Sequence, residues 1–233
     1  MSGQDITIAS KDGNFSGYLA TPAGGRGPGV LVIQEIFGIN ANIRAIADNL
    51  ATRGYFALAP DLFWRQEPGI QLTPNTQAAW DKAFELYRNF NVDKGVEDLI
   101  TSLDHLRALP GSSGKVGCQG YCLGGLLAYL MAARSDVDAA VGYHGVGIDS
   151  KLSEAKHIHC PLMLHIASAD AFVDTKAQAA IHAALNTNPY VILHDYAGAD
   201  HAFTREGGDH YNKKQADLAN QRTAEFLAGN LKG

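Results

Sequence analysis

Residues 115–135 read KVGCQGYCLGGLLAYLMAARS. A strand-like run ends at Gly120, and a helix-like run without Gly or Pro starts at Leu126. Between them Gly120, Gly124 and Gly125 frame Cys122. This is the outline of a strand–turn–helix elbow, G-x-S-x-G, with a thiol in place of the alcohol. Such a bend exposes one side chain at the head of a helix. Glycines are needed around it because strand and helix backbones approach where side chains would collide.

On either side of this elbow the chain alternates. Strand-like runs occur at DITIAS, FSGYLA, GVLVIQE, YFALAP, KVGCQG, DAAVGYH, PLMLHIAS and YVILHDY. From GVLVIQE onward they are short and almost continuously apolar, as strands buried on both faces of a parallel sheet are. Helical patterns lie between them at NIRAIADNLATRG, NTQAAWDKAFELYRN, DKGVEDLITSLDHLRALP, LLAYLMAARS and TKAQAAIHAALNTN, and NKKQADLANQRTAEFLAGN closes the chain. The alternation predicts an α/β fold: a mostly parallel twisted sheet of about eight strands with helices on both faces. With 233 residues and 46% hydrophobic residues, one domain spanning residues 1–233 is expected.

The formal charge of −5, with Lys and Arg scattered, offers no stripe for a phosphate backbone, so no nucleic-acid partner is expected. No segment approaches the ~20 apolar residues that cross a bilayer, and MSGQDITIASKDG is unlike a signal peptide. A soluble cytoplasmic protein with no membrane partner follows, acting as a monomer or small homo-oligomer. The three cysteines, Cys118, Cys122 and Cys160, form no disulfide framework. The tract HIHCPLMLH holds His157, His159 and Cys160, but matches no closed zinc spacing. The glycine-rich GGRGPG and GYCLGG lack the lysine of a phosphate loop and the spacing of a dinucleotide turn. Neither metal nor organic cofactor is expected.

In α/β sheets ligands bind beyond the carboxyl ends of the strands. That rule selects Glu35, Cys122, Asp170 and His201, each just past a strand-like run. A free thiol has a pKa near ~8.5, and its thiolate is the attacking form. The helix after Cys122 would aim its positive dipole end at the sulfur. His201 is the natural base. A carboxylate on its other nitrogen would hold tautomer and orientation, and Asp170 is favoured over Asp174, Asp195 and Asp200 by its place at a strand end. The backbone N–H groups of Leu123 and Ile36 are the expected oxyanion donors. Glu35, beside the thiol, would modulate its ionisation. Because thiolate departs more readily than an ordinary alkoxide, the acyl donor needs a good leaving group: an enol or aryl ester, a lactone of that kind, or a thioester. Hydrolysis and acyl transfer share this acyl-enzyme, and a non-catalytic ligand-binding scaffold is the alternative of another class.

Four motifs taken together, QEIFGIN around Glu35, GYCLGG around Cys122, the strand end at Asp170, and GADHAFTR around His201, resemble the dienelactone hydrolases, or carboxymethylenebutenolidases, over nearly the whole chain. The resemblance implies an α/β-hydrolase fold and a Cys122–His201–Asp170 triad that hydrolyses an enol-lactone without cofactor, with Glu35 governing the thiol. It also implies two arginines for the substrate carboxylate. Arg205 fits one; the position of the other is Trp80, a neutral indole that cannot make a bidentate carboxylate contact. Ala202 stands where a serine is common. Trp80, Phe84 and Tyr87 share one helix face and could line an apolar substrate wall.

Overall fold

The computed structural model describes residues 3–232. The chain groups into two compact units, the first ending at Val116 and the second beginning at Gly117.

The first unit contains β1 (Gln4–Ser10), β2 (Gly13–Ala20), β3 (Gly27–Ile33) and β4 (Phe56–Pro60), with α1 (Ala41–Thr52), α2 (Gln77–Arg88) and α3 (Val92–Ala108). Its strands lie in the order β1-β2-β4-β3. β1 and β2 form an antiparallel hairpin, β2 pairs antiparallel with β4, and β3 pairs parallel with β4. Burial follows the sequence: β4 is buried throughout and β3 from its second residue on, whereas β1 keeps most residues exposed or half-buried. The helices start at side-chain caps. Asn40, Thr76 and Asn91 accept from the backbone N–H three residues on, which satisfies a donor that the helix leaves open.

β5 (Ser112–Tyr121) runs across the boundary into the second unit. There follow α4 (Leu123–Arg134), β6 (Ala139–Tyr143), a 3₁₀ helix (Ile148–His157), β7 (Leu162–Ala167), α5 (Thr175–Leu185), β8 (Val191–Tyr196) and α6 (Lys213–Leu231). Strands β5, β6, β7 and β8 lie side by side in that order, all parallel. Their register puts Tyr121, Tyr143, His165 and His194 in one row across the sheet. Chain leaving this row emerges on one rim, and Cys122 and His144 are the first residues beyond it on β5 and β6.

One reading needs correction, and one element was missed. YVILHDY does not form a strand buried on both faces: in β8 only Tyr196 is buried, and Ile192 is 44% exposed. Within this unit β8 is the last strand of the order and pairs only with β7, so its apolar residues have fewer neighbours to cover them. The 3₁₀ helix over Ile148–His157 was not anticipated from the sequence.

Candidate active site

α4 begins unlike the helices with side-chain caps. Its cap position is Cys122, at φ 56° and ψ −113°, and the side chain makes no capping hydrogen bond. A positive φ strains a non-glycine residue and persists only where the surroundings impose it. Here Cys122 N–H donates to Tyr143 O at 3.1 Å, while Cys122 O accepts from Gly125 N at 2.9 Å and from Val146 N at 3.3 Å. The glycines are sterically required. A Cβ on Gly120 would stand 2.0 Å from Gly124 O, and one on Gly125 would stand 2.7 Å from both Gly145 Cα and Tyr143 O. The bend therefore holds Cys122, 8% exposed, at the head of α4 without capping it, while Leu123 opens the first turn of N–H groups.

His201 lies in the loop after β8. Its own N–H donates to Asp200 Oδ1 at 2.6 Å, and its carbonyl accepts from His210 Nδ1 at 3.2 Å. The next residue, Ala202, takes φ 59°, which turns the loop sharply. His201 Nδ1 donates to Asp170 Oδ2 at 2.8 Å, and the ring also hydrogen-bonds Cys122. Burial alone would lower the His201 pKa. The Cys122 charge, with the hydrogen bonds to Asp170 and Cys122, outweighs it and pushes the value up to about 10. These partners favour the protonated form of the imidazole.

The competing aspartates are otherwise engaged. Asp174 caps α5 by accepting from Ala177 N at 2.8 Å, Asp195 pairs with His182 at 2.9 Å, and Asp200 holds the His201 backbone. Asp170, 4% exposed, is the carboxylate on the imidazole, and its Oδ1 accepts from Phe172 N at 2.8 Å. Burial raises the pKa of both remaining thiols: Cys118 lies far above the ordinary range, and Cys160 is pushed up to about 11. Among the described residues no group of three His, Cys, Asp or Glu side chains stands ready to hold a metal ion.

The structure thus brings Cys122, Leu123, Asp170 and His201 together in the second unit, and Arg205 lies close enough to His144 for its charge to lower that imidazole's pKa. Glu35 and Ile36 follow β3 in the first unit, buried at 2% and 5% exposure. Trp80 meets Phe37 edge to face at 4.9 Å and Phe84 at 5.7 Å, so these rings form a half-buried cluster beside the QEIFG segment. Two residues at the site escaped sequence reasoning. The exposed Phe172 packs on His201 at 4.8 Å, and the buried His144 packs on it at 4.7 Å. His144 directly follows β6, so the strand-end rule applied to DAAVGYH would have found it.

The dienelactone hydrolase family model matches residues 15–231. A relative in Azospirillum brasilense is 47% identical over 232 residues, covering 97% of this chain and 99% of the relative. The carboxymethylenebutenolidase of Pseudomonas putida is 39% identical over 226 residues, covering 97% of this chain and 96% of that enzyme. A crystal structure from Klebsiella pneumoniae superposes with a TM-score of 0.84 at 26% identity, covering 97% of this chain and 98% of that one. No helix among the described residues is long and apolar enough to cross a membrane. With its α/β-hydrolase fold, the chain belongs to the dienelactone hydrolase family and is a carboxylic ester hydrolase.

Proposed function

We propose that the enzyme hydrolyses an enol-lactone or a similarly activated ester through an acyl-enzyme on Cys122. The observation that carries this reading is one imidazole, His201, hydrogen-bonded to both Asp170 and Cys122 at a strained helix head. The thiolate attacks the ester carbon: the C–S bond forms and the carbonyl π pair moves onto oxygen. The Leu123 N–H at the head of α4 stabilises this oxyanion, joined, on the family resemblance, by that of Ile36. Collapse breaks the bond to the leaving oxygen, which takes the His201 proton. Acylation removes the thiolate charge that raised the His201 pKa, so burial then favours the neutral ring. Neutral His201 accepts a proton from water, hydroxide attacks the thioester, and thiolate departs from the second tetrahedral intermediate.

Glu35 is assigned the control of the thiol, and Arg205 the binding of an acidic substrate group, both on the resemblance. Trp80 and Phe84 are assigned an apolar, aromatic contact with the substrate, because the resemblance expects a second arginine at the position of Trp80. The proposal includes a chain that works as one domain, as a monomer or small homo-oligomer, in a cytoplasm that keeps its free thiols reduced.

Brief mixing with an aryl ester, followed by mass spectrometry, is expected to show one acyl group on Cys122. Cys122→Ala should remove both adduct and turnover while leaving the fold intact; full activity in that variant overturns the mechanism. Rates on dienelactone and on neutral aryl esters test the pocket. A strong preference for the acid-bearing lactone that Arg205→Ala abolishes would sink the role given to Trp80.

A further inference from the structure

His144 takes no part in the chemistry above, yet its geometry is that of a functional residue. It stands one residue past β6 at φ 38°, a left-handed conformation that is rare without glycine. Its imidazole is 3% exposed and meets His201 edge to face, with ring centroids 4.7 Å apart. Burial, then the charges of His201 and Arg205, hold its pKa well below the ordinary 6.5, so the ring is neutral and one nitrogen is a bare acceptor. Nδ1 has no hydrogen-bond partner among the described residues. Buried acceptors in this situation are commonly satisfied by internal water.

A cavity of about 10 Å³, the scale of one water, lies beside this ring and is lined by His144, His165 and Asp170 among apolar side chains. Both His165 nitrogens are engaged, Nδ1 with Tyr196 Oη and Nε2 with Thr223 Oγ1, each at 2.8 Å. His144 and Asp170 are therefore the lining side chains with acceptor capacity left for a ligand. Two residues with acceptor capacity lining one small space suit a molecule with two donors, which water is.

We propose that His144 is a positioning residue: one buried water donates to His144 Nδ1 and to the Asp170 carboxylate, and so holds Asp170 in line with His201. Asp170 then has three anchors, the Phe172 N–H, the His201 Nδ1–H and this water, and the aim of its carboxylate is fixed from three directions. The inference rests on the triad reading above.

A high-resolution crystal structure of the protein should show a water within hydrogen-bond distance of both His144 Nδ1 and Asp170. His144→Phe keeps a ring but no acceptor, and should lose the water and about ten-fold in kcat, with KM changed by less than about two-fold. His144→Asn presents Oδ1 near the place of Nδ1 and tolerates the left-handed backbone, so it should retain the water and most of kcat. No water at this position in the unaltered protein overturns the proposal. So does a wild-type kcat in His144→Phe, or an Asn variant no better than the Phe variant. Should His144→Phe lose its cooperative thermal transition, the density and the Asn variant decide alone. Failure of the triad reading is seen separately, as activity retained by Cys122→Ala, and leaves the density result untouched.

Discussion

At His201, burial lowers the pKa while the Cys122 charge and the hydrogen bonds to Asp170 and Cys122 raise it, and the net value lies at about 10 instead of 6.5. The sign of the consequence follows from linkage. Above 6.5 the unfolded chain has released this proton and the folded chain still holds it. The stability that the charged imidazole contributes is therefore complete below 6.5 and is lost as pH rises toward 10. Denaturant titrations across this range should show falling stability in the wild type and a flatter profile in Cys122→Ala, where the charge that sustains the shift is gone. Equal slopes in the two proteins would refute Cys122 as the source of the raised His201 pKa. Cys122 was legible as a candidate because its glycine frame is written in the chain. The strand-end rule and the resemblance favoured Asp170 as the partner of His201 but left Asp174, Asp195 and Asp200 as rivals. A helix cap, a hydrogen bond to His182 and a bond to the His201 backbone occupy three of them, and spatial placement reveals which.

Among the elements, the contrast between α4 and α5 separates chemistry from support. α5 begins with Asp174, which closes its first turn in the ordinary way; α4 begins with a cysteine that leaves that turn without a side-chain cap. Asp174→Ala should therefore cost about 1 kcal/mol of stability with kcat unchanged. Gly125→Ala is expected to cost roughly 1–3 kcal/mol and most of the activity, because the added methyl meets backbone of Tyr143 and Gly145, which cannot rotate away. Thermal melts and initial rates on the two variants check the contrast. An active, stable Gly125→Ala would mean that the elbow is looser than its contacts imply. Elements with a strong period or a continuous apolar run were legible, including, among the described residues, the eight strands and six α-helices. The half-exposed state of β8 was not, because β8 is as apolar as the central strands and its exposure comes from lying last in the order.

For the molecule as a whole, buried neutral histidines set the acid side of the stability profile. Burial, then the His194 and Arg222 charges, push the His165 pKa down to about 3, and His144 is likewise held well below 6.5. Below 6.5 the unfolded chain takes up protons that these folded residues refuse, so stability should fall steadily as pH drops from 6.5 toward 3. Urea midpoints between these limits measure it, and His144→Asn should flatten the slope; an unchanged slope would show that this residue is not held neutral. The sequence by itself determined the α/β alternation, the elbow at Cys122 and the resemblance to a hydrolase family, because these are local patterns of periodicity, glycine placement and adjacent motif residues. Only the tertiary structure decided that Asp170 meets His201, that β8 lies half-exposed, and that His144 and Phe172 pack on the same imidazole. Those facts depend on strand order and register, which bring together residues between about 30 and 60 positions apart along the chain.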